Sequence, residues 1–288
     1  MNSTELIKRI RKIEIRTRAL SQQIFSGQYH SAFKGRGMAF SEVREYTYGD
    51  DVRSIDWNVT ARFHRPHIKV FEEERELTVM ILIDTSSSSL FGTYKMQKRD
   101  MITELAAVLS FSAITNNDKV GVIFYNDKIQ KFIPPQKGKT HILRIISELV
   151  NLKPETSQTN TTLALQYLTN VIKKKCTAFL ISDFIETDFE TALRITGKKH
   201  DLSAIQVCDS GETHLPDIGL LQIQDLETGK RRTVDTSNNQ FKKNYDIWWK
   251  KHDKELQDIF RRTGTDNIKL LTDRDYVPVL MELFKKRS

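Results

Sequence analysis

The sequence predicts an α/β protein built on a doubly wound, mostly parallel sheet, and three features of the 288-residue chain support this. The stretches ELTVMILID (76–84) and CTAFLISDF (176–184) are almost continuously apolar, as strands covered by helices on both faces are. Stretches with helical spacing of apolar residues separate such strands. Polar residues follow the strands directly. This alternation is typical of parallel sheets that carry helices on both faces.

Each element follows from its local pattern. Apolar residues recur three and four positions apart in the helical stretches, which puts them on one helix face. The segment 27–72 is rich in glycine, charge and aromatic residues without a sustained period, so an irregular or short-strand lobe is expected there. The helix at 161–175 has a basic last turn, which suits the negative end of the helix dipole. In chain order, the predictions are a charged helix at 4–26, this lobe, a strand at 76–84, a helix at 95–116, strands at 119–126 and 128–134, helices at 139–152 and 161–175, a strand at 176–184, a helix at 188–199, a strand at 201–209, a hairpin at 218–236 that turns at 227–229, a helix at 238–263, a strand at 267–272 and a helix from Tyr276 onward.

Three segments are expected from this order. Residues 1–75 would form the N-terminal helix and the irregular or β lobe, and residues 76–212 the α/β domain. Residues 213–288 would add a C-terminal extension of hairpin, long helix, strand and final helix.

Composition indicates a globular protein of the cytoplasm. Hydrophobic residues make up 39% and charged residues 28%, which suits a soluble chain. No apolar run reaches the ~18–20 residues of a transmembrane helix, and Cys176 and Cys208 lie in apolar strands without metal-ligand spacing. The net charge of +8 is densest at residues 7–18. That stretch is interpreted as a solvated helix face, or alternatively as a patch for acidic lipid, nucleic acid or an acidic partner.

Three strand-end loops carry oxygen side chains that are expected to meet at one edge of the sheet. In open α/β sheets, ligands bind beyond the carboxyl ends of the strands. Oxygen-only ligands favour a hard cation, and neutral hydroxyls leave part of its charge unsaturated. Each loop alone is also explained as a turn or a helix cap. Together they predict a metal centre for Mg²⁺, or instead Mn²⁺ or Ca²⁺, formed by Asp84, Ser86, Ser88, Thr159 and Asp183.

This set of residues resembles the metal-ion-dependent adhesion site (MIDAS) of von Willebrand factor A-type domains, whose pattern is Asp-x-Ser-x-Ser, then a Thr, then an Asp. The segments REYTYGDDVRSIDWNVTAR (44–62) and LETGKRRTVDTS (226–237) resemble the signature of the DUF58 family of bacterial proteins. The resemblance implies that the serines and Thr159 bind the metal directly or through water, and that Asp183 takes the place of an Asp that often acts through water in the family. It also implies a MoxR-type AAA+ ATPase, or its client, as the protein partner.

The segment 49–62 concentrates carboxylates, arginines and a tryptophan. One interpretation is structural, with Arg53 or Arg62 pairing a nearby carboxylate and Trp57 as an anchor. The other is a docking surface, since Trp and Arg are typical interface residues. A metal site at His64, His67 and Asp56 is a weaker hypothesis, because a convincing further ligand is missing. The residues assigned to the structural or docking role are Arg44, Asp50, Asp51, Arg53, Asp56, Trp57 and Arg62.

A binding module that captures a partner carboxylate at the metal is therefore the leading function, without catalysis. The alternative is a metal-dependent hydrolase or phosphatase. Phosphatases of the haloacid dehalogenase type need a second Asp where this chain has Ser86, and the sequence lacks a P-loop and a nucleophile elbow. Nucleic-acid binding is the third class, but the basic charge is not concentrated in one module and no reader motif is present, so nucleic acid is not expected as a partner.

Overall fold

The computed structural model describes residues 39–72, 77–93, 96–151, 158–213, 216–224 and 231–287. The chain divides into a small compact unit of residues 33–77 and a larger one that contains everything from Thr78 onward. The predicted helix at 4–26 and the predicted turn at 227–229 lie outside the described residues.

The small unit is a two-stranded antiparallel sheet with a helical connection. Strands β1 (Ala39–Glu45) and β2 (His67–Glu72) pair, and a 3₁₀ turn (Val52–Ser54) and helix α1 (Trp57–Phe63) lie between them in sequence. Asp56 caps α1 by accepting hydrogen bonds from the backbone N–H groups of Asn58 and Val59. The expected short-strand lobe is therefore present at this position.

The larger unit is an α/β layer structure, as predicted. The strands of its six-stranded sheet are β3 (Thr78–Asp84), β4 (Lys119–Tyr125), β5 (Ile129–Gln136), β6 (Thr177–Ser182), β7 (Asp201–Cys208) and β10 (Asp266–Leu271). Their order is β10-β7-β6-β3-β4-β5, in which every neighbouring pair is parallel except β4 and β5. A separate antiparallel pair consists of β8 (Leu220–Gln224) and β9 (Arg231–Asp235). The helices are α2 (Lys98–Thr115), α3 (Lys139–Asn151), α4 (Thr161–Val171), α5 (Glu190–Lys199), α6 (Ser210–Thr213), α7 (Asn239–Thr263) and α8 (Val277–Arg287).

Both faces of the sheet are buried, which explains the continuous apolar runs. In β3 every residue from Val79 to Ile83 is buried. Alternate residues of a strand point to opposite faces, and Met80 and Leu82 pack in one cluster with residues of α4, α5 and α7. Helix α2 contacts β3 and packs against α3 through a second cluster. The central strands are thereby fixed, and their carboxyl ends form one edge.

Two element ends differ from the sequence prediction. Helix α4 ends at Val171, because Ile172 takes an extended conformation and packs against the core. The lysines at 173–175 therefore follow the helix, and the predicted basic last turn is wrong. Strand β5 runs on to Gln136 through Pro134 and Pro135. Prolines are tolerated there because β5 is an edge strand.

Within the described ranges, none of the helices combines the length and the apolar character needed to cross a bilayer. The cellular location stays a prediction.

Candidate metal centre

Asp84 lies at the carboxyl end of β3 and is almost completely buried. Its Oδ1 accepts a hydrogen bond of 2.9 Å from the Ser86 backbone N–H, and its Oδ2 accepts one of 2.7 Å from the Ser182 hydroxyl. Ser182 is the last residue of β6, the strand beside β3. Two adjacent strand ends therefore fix the direction of this carboxylate.

Ser86 and Ser88 are brought together by a tight turn. Residues Ser87–Leu90 form a 3₁₀ turn, which Ser89 stabilises by donating from its hydroxyl to the Ser86 carbonyl at 2.7 Å. The two hydroxyls then share a hydrogen bond, with Ser86 Oγ and Ser88 Oγ 2.9 Å apart. Two ligands at right angles on one ion with bonds of ~2.0–2.1 Å are also separated by about 2.9 Å, so the two oxygens are already spaced as octahedral Mg²⁺ would require.

Asp183 directly follows β6 and pairs with a buried lysine. Its Oδ2 lies 2.9 Å from Lys98 Nζ, and the same ammonium lies 2.6 Å from Glu212 Oε1. Lys98 is only 1% exposed and is the first residue of α2. Glu212 belongs to α6, which follows β7, so three elements meet at this ammonium.

The backbone after Asp183 is held in an uncommon conformation. Phe184 has a φ of 53°, a left-handed value that non-glycine residues rarely adopt. Its ring is buried and packs against Phe189 and Phe260 at centroid distances of 5.6 and 5.5 Å. This aromatic packing holds the turn that directs Asp183 to the sheet edge.

A cavity of about 10 Å³ lies between the two predicted carboxylates. That volume is close to what one water molecule needs, so it suits a single small ion or a water bound to one. Its lining consists of Asp84, Ser88, Ser89, Lys98, Ile102, Ser182, Asp183 and Val207.

The two carboxylates differ in charge preference. Burial and the nearby Asp183 carboxylate raise the pKa of Asp84 to about 6. Burial also acts to raise the pKa of Asp183, but the Lys98 ammonium and the hydrogen bonds from Ser88 and Ile185 together outweigh it, so the net pKa is lowered. Burial likewise opposes the charged form of Lys98, yet Asp183 and Glu212 raise its pKa above the usual value. A cation beside Asp84 would relieve the repulsion between the carboxylates.

Thr159 lies on the loop before α4 and is half-buried, and its place in the centre stays a prediction. Asn160 caps α4 and anchors the loop by donating from its backbone N–H to the Asn126 carbonyl at 2.8 Å. Thr161, the first residue of α4, is only 1% exposed, and its Oγ1 has no hydrogen bond of ordinary geometry among the described residues. It lies beside the buried Tyr125, whose pKa is raised by burial and by the Asp84 carboxylate.

Asp209 at the end of β7 is a third buried carboxylate, but its hydrogen bonds are made within the protein. It accepts from the hydroxyl of Thr93, from the hydroxyl of Thr272 at 2.6 Å and from the Gly211 backbone N–H at 2.8 Å. Burial opposes its ionisation, but these hydrogen bonds outweigh it and lower its pKa. Asp209 therefore stabilises the strand end rather than offering a free ligand.

The sequence did not identify Lys98, Glu212 or Ser182 as parts of the centre. Lys98 begins a run of three charged residues, Lys98, Arg99 and Asp100, ahead of the apolar part of the helix, so nothing in the sequence distinguished it from its neighbours. The pattern could not show that this residue is buried, because lysine is normally exposed.

In the small unit, the charged segment forms local contacts. Arg44 pairs with Asp50 through two hydrogen bonds of 2.7 and 2.9 Å, and these lower the pKa of Asp50. Asp56 pairs with Lys69 at 3.5 Å, so these two carboxylates take partners other than the predicted Arg53 and Arg62. Asp51 accepts from the Arg53 backbone N–H.

Two further observations concern the roles predicted for this segment. Trp57 is 69% exposed and is therefore not a buried anchor, and a docking role for the segment stays a prediction. The described residues contain no group of three or more His, Cys, Asp and Glu side chains arranged for a metal, which removes the hypothesis at His64 and His67. The candidate centre at Asp84 differs in kind, because hydroxyls supply part of its oxygen set.

A buried Cys–His contact was also not predicted. Cys176 Sγ lies 3.2 Å from His200 Nδ1. Burial raises the pKa of Cys176 to about 12 and lowers that of His200 to about 4. Both groups are therefore neutral near pH 7, and the pair is not an activated thiolate.

Comparison with known proteins gives a family and a fold. Residues 42–255 match the family described as Protein of unknown function DUF58. Uncharacterized protein Rv1480 of Mycobacterium tuberculosis is 27% identical over 293 residues, which cover 100% of this chain and 91% of that protein. An aerotolerance-related membrane protein from Bacteroides fragilis aligns with a TM-score of 0.51 at 14% identity, over 73% of this chain and 98% of that one. The SpRpn10 VWA domain aligns with a TM-score of 0.41 at 12% identity, over 73% and 95%. At these identities, the likeness to solved structures concerns the fold alone.

Proposed function

The chain belongs to the DUF58 family of proteins of unknown function, and we propose that its larger unit is a metal-dependent protein-binding module. The observation that carries this proposal is the 2.9 Å spacing of Ser86 Oγ and Ser88 Oγ beside the buried carboxylates of Asp84 and Asp183. Two strand ends and a tight turn supply an oxygen set of the kind that binds Mg²⁺ or Mn²⁺.

The proposed ligands divide into direct and outer positions. Asp84, Ser86 and Ser88 would hold the ion directly, Thr159 would act directly or through water, and Asp183 would act through water. A bound divalent cation supplies a positive position that an outside carboxylate oxygen can bind. Because only one carboxylate of the protein is proposed as a direct ligand, much of the charge of the ion is left for that outside group.

The proposed partner is a protein that presents an Asp or Glu side chain. The net charge of +8 supports attraction to an acidic surface at long range. The DUF58 resemblance implies a MoxR-type AAA+ ATPase or its client as that protein, and this part of the proposal rests on the resemblance.

We infer a role without catalysis. Position 86 is a serine where an aspartyl-phosphate phosphatase would carry its acid/base, and the Ser86 hydroxyl bonds to Ser88. The Cys176–His200 pair is neutral and buried, so it does not offer a nucleophile. Turnover of phosphoesters or peptides that is lost in Asp84→Asn would contradict this inference and favour the hydrolase.

The test combines metal binding with partner capture. The full chain is titrated with Mn²⁺ by calorimetry, and purified MoxR-type ATPase is captured on it with and without EDTA. Asp84→Asn should lose both Mn²⁺ binding and capture. Asp209→Asn is the matched control: it changes a buried carboxylate at a neighbouring strand end, so it should lower stability and keep Mn²⁺ binding.

The outcomes separate the parts of the proposal. Mn²⁺ binding that is equal in wild type and Asp84→Asn overturns the metal centre. Metal binding without EDTA-sensitive capture of the ATPase keeps the metal centre and removes this partner.

A further inference from the structure

Lys98 is a buried cation in a position that ordinary helix electrostatics disfavours. It is 1% exposed and is the first residue of α2, where the positive end of the helix dipole repels a cation. Burying an ammonium is costly unless carboxylates pair with it. Here two carboxylates from distant parts of the chain do so, Asp183 Oδ2 at 2.9 Å and Glu212 Oε1 at 2.6 Å.

The contacts of Asp183 reduce its ability to bind a metal directly. Lys98 takes Oδ2, while the Ser88 hydroxyl and the Ile185 backbone N–H act on the same carboxylate and help to lower its pKa. A carboxylate that accepts several hydrogen bonds, one of them from an ammonium, is a weaker ligand than a free one. Lys98 and both proposed acidic residues line the same small cavity, so the ammonium would lie close to an ion bound there.

We propose that Lys98 determines how the metal centre coordinates its ion. Lys98 keeps Asp183 in an outer position, and the bound cation therefore depends on an outside carboxylate. This inference rests on the proposed function, because it concerns the same ion. It adds that Lys98 lowers the affinity of the centre for the cation and leaves the ion electrophilic. Without Lys98, Asp183 would bind the ion directly and the centre would need no partner.

Glu212 sets how strongly Lys98 acts on Asp183. Its Oε2 is held by the Asp209 backbone N–H at 3.2 Å, while its Oε1 shares the ammonium. The negative charge of Glu212 partly offsets that of the ammonium. Removing this charge should therefore leave Lys98 to act more fully on Asp183 and on the ion.

The test uses two substitutions with opposite expected signs. In Lys98→Met, a side chain of similar length without charge, Mn²⁺ affinity should rise by about tenfold, the lower end of what outer-shell partners change. In Glu212→Gln, Mn²⁺ affinity should fall by a similar factor. A purely structural role would weaken binding in both variants, so the opposite signs are diagnostic.

A second measurement reports how many water molecules remain bound to the ion. If Asp183 replaces a water on Mn²⁺ in Lys98→Met, the water-proton relaxation enhancement of the bound ion should fall below that of wild type. Lys98→Arg keeps the charge and should stay close to wild type in Mn²⁺ affinity. Unchanged or weaker Mn²⁺ binding in Lys98→Met overturns the inference.

Failure of the inference is distinguishable from failure of the proposed function. If wild type binds no Mn²⁺, the metal centre itself is wrong. If wild type binds Mn²⁺ and Asp84→Asn does not, but the two substitutions fail to move the affinity in opposite directions, only the role of Lys98 is wrong. If Lys98→Met does not fold, Glu212→Gln decides alone, and unchanged or tighter Mn²⁺ binding in that variant overturns the inference.

Discussion

Ser182 donates a 2.7 Å hydrogen bond to Asp84, although the two residues are 98 positions apart in the sequence. The bond joins the ends of β6 and β3, and the same Ser182 oxygen accepts from the Phe184 backbone N–H at 3.1 Å. One hydroxyl therefore positions a proposed metal ligand and the turn that follows the second acidic residue.

Ser182→Ala should lower both stability and metal affinity. Two buried hydrogen bonds are lost, one of them to a carboxylate, and the free energy of unfolding should fall by about 1–3 kcal/mol. Mg²⁺ should bind more weakly, because Asp84 loses the group that orients it. Denaturant unfolding with and without Mg²⁺ measures both effects.

The control for this substitution is Ser112→Ala. Ser112 is also buried, but its hydroxyl has no hydrogen-bond partner among the residues that the structure describes. Its loss should leave stability and Mg²⁺ binding unchanged. Equal effects of the two substitutions would contradict the role given to Ser182.

Metal binding should depend on pH in the range set by Asp84. Its folded-state pKa is raised to about 6 by burial and by Asp183, so the metal-free protein loses the stability contributed by protonated Asp84 as pH rises through 6. Mg²⁺ favours the ionised carboxylate and should counteract that loss. The rise in melting temperature on adding Mg²⁺ should therefore be small at pH 5 and large at pH 7.

Thermal unfolding at pH 5 to 8, with and without Mg²⁺, measures this dependence. Asp84→Asn should show no pH-dependent effect of Mg²⁺ in this range. A Mg²⁺ effect of the same size at pH 5 and pH 7 in wild type would argue against Asp84 as the titrating ligand.

The two threonines at the start of α4 should respond differently to loss of their hydroxyls. Thr159 is half-buried on the loop, and a ligand of an ion that a partner can reach is expected to be partly exposed. Thr159→Val should therefore weaken Mn²⁺ binding. Thr161 is buried, and its hydroxyl makes no hydrogen bond of ordinary geometry within the described part of the chain, although it acts on the neighbouring Tyr125, so Thr161→Val should keep Mn²⁺ binding and change stability little. Calorimetric titration of both variants decides, and a larger loss in Thr161→Val would transfer the ligand role to that residue.

Much of the fold followed from local pattern, because strands buried on both faces carry a continuous apolar signal. That signal placed Asp84 and Asp183 at strand ends. Helix ends were less predictable: the stop of α4 depends on the packing of Ile172 against the core rather than on the lysines that follow.

The buried charged residues of the centre could not be predicted from local sequence patterns. Lys98 meets Asp183 across 85 positions of sequence and Glu212 across 114, so no periodicity connects them. From sequence alone, a lysine near the start of a helix is interpreted as an exposed side chain, because lysine is normally exposed. Only the packing of α2 and α6 at the sheet edge shows that it is enclosed by carboxylates.

The prolines of β5 have a consequence for self-association. Pro134 and Pro135 are consecutive residues of an edge strand, and they lie in a bulge, because the two together oppose the single residue Gly121 of β4. Neither proline has a backbone N–H, and a bulged edge without these donors is a poor template for an incoming strand. Strand addition from another molecule, and the fibrous aggregation that it can begin, are disfavoured along this border.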